Sequence, residues 1–224
     1  MYPISPIENG QCEVMIKVLV VDDHPIVRQG LKQVISEESD MAVLGEAQNS
    51  QEVFDLIREQ DWDVVVLDIT MPGRGGLDVL RDIKHERPKL PVLMLSVHPE
   101  DQYAVRTLKA GASGYLTKES APEELVGAIR KILRGGKYVS STLAEKLAFH
   151  LESETEKLLH EGLSNREYEV MLMIASGKTI STIAEEMSLS VKTVSTYRAR
   201  ILEKMQMKGN ADLTYYVIKN RLLD

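Results

Sequence analysis

The strongest constraint on the fold is a fivefold alternation of short apolar runs with amphipathic stretches, from Ile16 to about Gly136. The apolar runs are IKVLVV, MAVLGEA, DVVVLD, PVLMLS and GYLTK, and each precedes a stretch with apolar residues at helical spacing. Short runs rich in valine, leucine and isoleucine suit strands that are buried between two helical layers. The pattern therefore predicts an α/β fold, a doubly wound five-stranded parallel sheet with helices on both faces.

Acidic residues follow two of these predicted strands. The first run ends in Asp22 and Asp23, and the third ends in Asp68. In a sheet of order 2-1-3-4-5, ligands bind beyond the carboxyl ends of the strands, between the first and third strands. Three carboxylates are therefore expected in one crevice, where their mutual repulsion favours a bound cation. An oxygen-rich, thiol-free pocket of this kind suits Mg2+.

Two more polar side chains are predicted at the same edge of the sheet. The fourth strand ends on Ser96 and the fifth ends just before Lys118. An aspartate can accept a phosphoryl group, and a metal ion with a lysine would neutralise the phosphoryl oxygens during transfer. We therefore interpret Asp68 as the acceptor, with Ser96 and Lys118 beside it.

The chain changes character after Leu163, where the strand pattern gives way to four short helical patterns. Ser164 and Glu167 predict a capping box at the first of them, as Ser120 predicts a capped start for the fifth helix of the first half. Only Ser188, Leu189 and Ser190 separate the second and third patterns. Two helices joined by so tight a turn predict an all-α, four-helix domain of the helix-turn-helix type.

The third helical pattern of this second half is locally basic. Its cations, with one just beyond its end, are Lys192, Arg198, Arg200, Lys204 and Lys208, against the single acid Glu203. A basic patch can contact phosphates even in an acidic protein. Helical spacing predicts that the core-facing residues are Val191, Val194, Ile201 and Met205. The opposite face is then free to enter a DNA groove.

Composition places these two halves in an ordinary water-soluble protein. The formal net charge is -7, and the acidity lies before His160, because nine basic and eight acidic residues follow from there. The lone cysteine, Cys12, indicates a reducing, cytoplasmic location, and no apolar run predicts a membrane span. We predict an N-terminal extension (1–15), the sheet domain (16–136), a linker with one helix (137–162) and the helical domain (163–224).

Several motifs, in this order and spacing, resemble a known family. VVDDHP, LDITMPG, the hydroxyl of MLSVH, and AGASGYLTK resemble the receiver domain of two-component response regulators. The segment from LSNREYEV to RILEKM resembles the DNA-binding domain of the NarL/FixJ (LuxR-type) subfamily. The resemblance covers nearly the whole chain from Ile16, and it implies a CheY-like receiver joined to a helix-turn-helix domain.

The resemblance implies a role for each polar residue at the predicted crevice. Asp68 matches the phosphorylated aspartate, Asp23 a Mg2+ ligand, and Asp22 the acid that helps to hold the ion through water. The backbone carbonyl of Thr70 matches the third protein contact of the metal. A sensor histidine kinase is the implied phosphoryl donor, and the protein is not expected to be an enzyme with steady turnover.

The resemblance also implies how the signal leaves the receiver. Ser96 matches a switch hydroxyl, Lys118 the lysine that contacts the phosphoryl group, and Tyr115 an aromatic switch that turns inward when Ser96 moves. Phosphorylation is then expected to change dimerisation or to free the DNA-reading helix. The expected active state is a homodimer on double-stranded DNA, with no membrane partner.

The family comparison divides the exposed residues of the basic helix into two groups. The positions that match base-reading residues are Ser195, Thr196 and Ala199. The positions that match phosphate contacts are Lys192, Thr193, Arg198 and Arg200. The last helix, with Leu213, Tyr216, Val217 and nearby Met207, resembles a dimerisation surface, although core packing explains the same residues nearly as well.

Two other functions use some of the same residues. A phosphatase of the haloacid dehalogenase type also carries a nucleophilic aspartate after an apolar strand, but its chemistry needs a second acid two residues later. Thr70 occupies that position. A transcription factor that works without phosphorylation is the second alternative, and the complete acidic set argues against it.

Overall fold

The structure is a computed structural model. The residues that it describes are 15–71, 74–97, 100–140, 143–144, 159–220 and 222–223. The predicted N-terminal extension with Cys12, apart from Met15, and most of the predicted linker helix lie outside the described residues.

Five parallel strands form one sheet in the order β2-β1-β3-β4-β5, which confirms the predicted fold of the first half. The strands are β1 (Ile16–Val21), β2 (Met41–Ala47), β3 (Val64–Asp68), β4 (Val92–Ser96) and β5 (Gly114–Thr117). The helices between and after them are α1 (Pro25–Ser36), α2 (Ser50–Glu59), α3 (Gly76–Glu86), α4 (Glu100–Lys109) and α5 (Ala121–Leu133).

The sheet is apolar on both faces because successive strand residues point to opposite sides. In β1, Val18 and Val20 join the apolar cluster beneath α1 and α5. Leu19 and Val21 join the cluster on the other face, beneath α2, α3 and α4. This double burial explains why the strands read as continuous apolar runs, and it leaves only the strand ends for polar chemistry.

Four helices follow the sheet, as the sequence predicts. They are α6 (Asn165–Ala175), α7 (Ile180–Glu186), α8 (Val191–Lys204) and α9 (Asn210–Lys219), and a short 3-10 helix (Leu159–Gly162) precedes them. The turn between α7 and α8 contains Ser188 at a φ of 53°. This left-handed residue turns the chain sharply enough for α8 to cross α7 within four residues, 187–190.

The two predicted helix caps have different outcomes. Ser164 accepts a hydrogen bond from the Glu167 backbone amide, and the Glu167 carboxylate accepts one from the Ser164 backbone, so the capping box is confirmed. Ser120 precedes α5 but makes no capping hydrogen bond, which makes that prediction wrong. Its hydroxyl contacts Oγ1 of Thr117 at 3.1 Å instead, because the backbone at Ser120 is already helical.

The helical domain packs against the sheet domain. Tyr103 of α4 and Tyr168 of α6 meet edge to face, with ring centroids 5.7 Å apart. Both belong to the apolar cluster that covers one face of the sheet. Within the described part of the chain, no helix is both long and apolar enough to cross a lipid bilayer.

Candidate functional site

The strand ends bring the predicted polar residues into one crevice. Asp22 follows β1 directly, Asp68 is the last residue of β3, and Lys118 follows β5. Nζ of Lys118 lies 2.7 Å from Oδ2 of Asp22 and 2.9 Å from Oδ2 of Asp68. Parallel strands deliver their carboxyl ends to the same edge, so three distant segments form one charged cluster.

The cluster has room for a further positive charge. Asp22 and Asp68 are almost completely buried, and Lys118 is a single cation between their two carboxylates. Oδ1 of Asp23 is also buried, and among the described residues it has no hydrogen-bond partner, although Nδ1 of His24 lies 3.1 Å away. An acceptor left in this state is costly in a folded protein.

The donor atoms suit a metal ion. One ligand atom each from Asp22, Asp23, His24 and Asp68 lies within 4.8 Å of the others. Sequence analysis did not single out His24 as a metal ligand. Its backbone amide donates to Oδ1 of Asp22 at 2.8 Å, which holds the residue at the crevice. The acidic cluster could thus bind a metal.

Burial and charge tune the central carboxyl group. Burial raises the pKa of Asp68 to about 6, the charge of Asp22 adds to the rise, and Lys118 opposes it. Burial acts to lower the pKa of Lys118, but its contacts with Asp22 and Asp68 outweigh this effect and raise it. Lys118 therefore stays charged, while Asp68 is mostly ionised at neutral pH and becomes more so with a bound cation.

The segment after Asp68 is held tightly at its two ends. The backbone amide of Thr70 donates to Oδ1 of Asp68 at 3.3 Å. The amide of Gly76 donates to the carbonyl of Ile69 at 2.8 Å, which closes the loop where α3 begins. A Cβ at Gly76 would lie 1.9 Å from the carbonyl oxygen of Asp68, so only glycine fits this closure.

Ser96 and Tyr115 lie inside the domain. Neither side chain is exposed to solvent, and Ser96 ends β4 beside the strand that carries Tyr115. The Lys118 amide donates to the Ser96 carbonyl at 2.7 Å, which links β4 to the lysine loop. Tyr115 belongs to the same apolar cluster as Tyr103, so its ring points inward.

The basic helix α8 presents most of its predicted contact residues to solvent. The exposed ones are Lys192, Ser195, Thr196, Ala199 and Arg200. Thr193 and Arg198 are half-buried: Thr193 contacts the Ser190 hydroxyl at 2.8 Å, and Nε of Arg198 donates to Asn210 at 2.6 Å. The contact with the sheet domain therefore does not cover this face of α8.

One prediction for the helical domain is wrong, and burial decides between two explanations that the sequence left open. Val191, predicted to face the core, is 51% exposed, because it is the first residue of α8 and lies beyond the packed part of the helix. Val194, Ile201 and Met205 are buried as predicted. On α9, Leu213 and Val217 are completely buried, so core packing accounts for both residues.

The outward face of α9 carries different residues from those that the sequence singled out. Tyr215 and Ile218 are 70% and 65% exposed. Tyr216 is half-buried, and its hydroxyl lies 3.0 Å from Nδ1 of His160. The large apolar side chains that α9 exposes are therefore Tyr215 and Ile218.

The residues that join the two domains were missed by sequence reasoning. Arg106 of α4 donates to the carbonyls of His160 and Leu163 at 3.1 Å and 2.6 Å, and its guanidinium lies 4.4 Å from the Tyr168 ring centroid. Arg166 of α6 donates to the carbonyl of Met71 at 3.0 Å. A solvated helical arginine has the same sequence signature, so periodicity could not have found either contact.

Two family models match the chain, one for each half. The response regulator receiver domain matches residues 18–130, and the family of bacterial regulatory proteins of the LuxR type matches residues 161–217. The four strand ends with polar side chains lie within the first match, and helices α6 to α8 lie within the second.

Curated relatives align over almost the full chain. The response regulator UvrY of Escherichia coli K12 is 38% identical over 93% of this chain and 96% of its own length. The response regulator GacA of Pseudomonas aeruginosa is 37% identical over 94% and 99%. A solved structure of the Salmonella typhimurium RcsB response regulator, described for conformational dynamism in DNA interaction, aligns with a TM-score of 0.63 at 25% identity. It covers 91% of this chain and 97% of that one. The chain belongs to the NarL/FixJ family of two-component response regulators.

Proposed function

We propose that Asp68 is the residue through which this response regulator receives its signal, by accepting a phosphoryl group from a sensor histidine kinase. The observation that carries the proposal is the ion pair of Lys118 with both Asp22 and Asp68 at one edge of the sheet. A carboxylate oxygen of Asp68 would form the new bond to phosphorus while the bond from phosphorus to the donor histidine breaks. Lys118 would neutralise the transferred oxygens.

The metal that we propose for this cluster is Mg2+. Asp22, Asp23, Asp68 and the backbone carbonyl of Thr70 would hold it. The buried Oδ1 of Asp23, which accepts no hydrogen bond from the described residues, supports the assignment. When bound, the ion would supply charge neutralisation for the phosphoryl oxygens. The charges around Asp68 favour cation binding, because three carboxylates and one lysine leave an excess of negative charge.

We further propose that Ser96 and Tyr115 transmit the change, and that α8 reads double-stranded DNA. Ser195, Thr196 and Ala199 would face base edges, and Lys192, Thr193, Arg198 and Arg200 would contact phosphates.

We propose residues 16–136 as the receiver and 163–224 as the DNA-binding domain, acting as a homodimer in the cytoplasm. The exposed Tyr215 and Ile218 support a dimer contact through α9.

The test uses a small acyl phosphate donor with Mg2+ and intact mass spectrometry. We expect the wild-type chain to gain one phosphoryl group and the Asp68→Asn variant to gain none. Light scattering and binding to DNA fragments selected by the phosphorylated wild type should then show dimerisation and tighter binding only for the wild type. Equal behaviour of the two proteins would contradict the proposal.

The alternative of a haloacid dehalogenase-like phosphatase has a separate test. Thr70 stands where that chemistry needs an acid, and the Thr70 side chain is exposed. We expect loss of the chain's own phosphoryl group and no multiple turnover of a phosphate ester in a steady-state assay. Sustained turnover that depends on Asp68 would favour the phosphatase.

A further inference from the structure

The buried side chain of Arg166, in the DNA-binding domain, contacts the loop after Asp68. Nη2 of Arg166 donates to the carbonyl of Met71 at 3.0 Å, and this hydrogen bond is buried. The guanidinium also lies beside Gly75, because a Cβ there would be 3.6 Å from Cζ of Arg166. Arg166 thus contacts the loop three residues after Asp68 and again just before α3 begins.

The guanidinium is itself fixed on the other side. Nη1 of Arg166 forms an ion pair with Glu169 at 2.7 Å, and both side chains are about nine-tenths buried. A planar guanidinium can bond a carboxylate and a carbonyl at once without changing rotamer, which a lysine ammonium on a flexible stem does less well. The loop is therefore bonded to a rigid group rather than to a mobile surface side chain.

Further contacts hold α6 in place against the receiver. Asn165 donates to Asp78 of α3 at 3.3 Å, and Arg106 of α4 bonds the carbonyls of His160 and Leu163. These bonds hold the start of α6 against α3, and the segment just before α6 against α4. The position of Arg166 on the Met71 carbonyl thus depends on domain docking as a whole.

From these contacts we infer that Arg166 is a positioning residue for the metal and phosphoryl site, supplied to the receiver by the DNA-binding domain. The inference rests on the proposed function and deepens it. The Met71 carbonyl is the next one in the chain after that of Thr70, the proposed metal contact. Fixing the Met71 peptide restricts the Thr70 peptide, so it reduces the conformational freedom that Mg2+ binding must remove.

Thermodynamic linkage makes the effect reciprocal. If docking through Arg166 favours the ion, then the ion must favour docking by the same factor. Binding of the ion to the acidic cluster would therefore strengthen docking of α6, although the ion does not contact the DNA-binding domain. The exposed face of α8 remains available throughout, because the docking contacts described above come from α6 and the segment before it.

The first experiment compares Mg2+ affinity in full-length variants. Arg166→Met with Glu169→Gln removes the hydrogen bond but leaves the net charge unchanged, so electrostatic attraction of the ion is preserved. The matched control is Lys178→Met with Glu186→Gln, an exposed ion pair of the same domain away from the loop. We expect the Mg2+ Kd, from nuclear magnetic resonance titration of backbone amides near Asp23, to rise about fivefold in the first variant only.

The outcomes separate this inference from the proposed function. A folded Arg166→Met, Glu169→Gln variant whose Mg2+ Kd equals that of the control overturns the role of Arg166 while Asp68 keeps its proposed role. A wild-type chain that binds no Mg2+ overturns both proposals. Retention of near-normal affinity by Arg166→Lys would support the need for a donor at this position.

A second experiment needs no substitution and covers the case of a variant that fails to fold. Amide hydrogen exchange is followed in the wild-type chain with and without saturating Mg2+. We expect exchange in α6 to slow by about fivefold on ligation, while exchange in α7 stays unchanged. Equal exchange in α6 under both conditions would overturn the inference.

Discussion

Asp22 and Asp68 at the sheet edge are charged residues that are buried, and the free-energy cost of burying such a charge can be measured. Asp68 is 1% exposed and shares Lys118 with Asp22. Burial of an ionised carboxyl group costs free energy that one lysine does not repay completely, as the raised pKa of Asp68 shows. Without a bound cation, the folded protein is therefore less stable with an ionised Asp68 than it would be with an uncharged side chain at this position.

This cost predicts a pH-dependent effect of Asp68→Asn on stability. The pKa of Asp68 rises from 3.8 to about 6 on folding, so in this range the folded state binds more protons than the unfolded state. The unfolding free energy of the wild type therefore falls as pH rises through this window. Without divalent ions, the variant should be more stable than the wild type by about 3 kcal/mol near neutral pH, and the gap should close near pH 4.

Urea unfolding in the presence of a chelator measures this difference at the two pH values. Saturating Mg2+ should reverse it at neutral pH, because the ion binds the folded wild-type site. A gap that is the same at both pH values would show that the substitution acts through packing rather than through the charge of Asp68.

Gly76 gives a second residue-scale prediction. A methyl group there would overlap the Asp68 carbonyl, whose oxygen lies 1.9 Å from the ideal Cβ position. Gly76→Ala should therefore destabilise the protein by about 3 kcal/mol, because backbone must move. The control is Gly127→Ala in α5, where a Cβ meets nothing within 4 Å and should stabilise by about 0.5 to 1 kcal/mol. Equal thermal midpoints for the two variants would contradict this reading of the loop.

At the scale of elements, α8 shows how a helix can be anchored and exposed at once. Val194 and Ile201 are completely buried, and Lys204 pairs with the buried Glu167 of α6 at 2.6 Å. Ser190 caps the helix by accepting from the Thr193 amide at 3.0 Å. These contacts fix the orientation of α8, so its opposite face can enter a groove without reordering the domain.

Because Lys192 is exposed on α8, its removal is predicted to change how DNA affinity depends on salt concentration. If Lys192 contacts a phosphate, Lys192→Ala should weaken binding to all DNA sequences by a similar factor. It should also reduce the slope of log affinity against log salt by about 1. Lys178→Ala, in the same domain but outside α8, should leave the slope unchanged. Fluorescence anisotropy over a salt series measures both, and a loss confined to one DNA sequence would assign Lys192 to base reading instead.

At the scale of the whole molecule, the two domains are docked through a small set of contacts around Arg106. Its guanidinium bonds two carbonyls and covers the Tyr168 ring, so one side chain joins α4 to the beginning of the DNA-binding domain. Docking of this kind leaves the α8 face exposed.

Removal of this side chain should separate the domains. Arg106→Ala loses hydrogen bonds and a cation–π contact, worth about 2 kcal/mol of docking free energy, and we expect a larger radius of gyration in small-angle scattering. Arg58→Ala is the matched control, because Arg58 also lies over an aromatic ring, that of Phe54, but within the receiver. An unchanged radius in Arg106→Ala would show that apolar contacts such as Tyr103 with Tyr168 suffice for docking.

Local pattern was enough to predict the five strand–helix repeats, the acids at the strand ends and the capping box at Ser164. Each depends on the period of apolar residues or on partners a few positions apart. The exposure of Val191 and the failed cap at Ser120 were missed because propensity gives way to the packing and backbone geometry around a helix end.

By itself, the sequence determined which residues form strands and helices and which polar side chains reach the strand ends, because these follow from periodicity along the chain. Only the tertiary structure decided that His24 joins the acids, that α9 buries Leu213 and Val217, and that Arg166 bonds a carbonyl 95 residues away. The physical reason is that a hydrogen bond between distant segments depends on how two packed surfaces meet. The local sequence around the donor or around the acceptor therefore does not indicate that the two will meet.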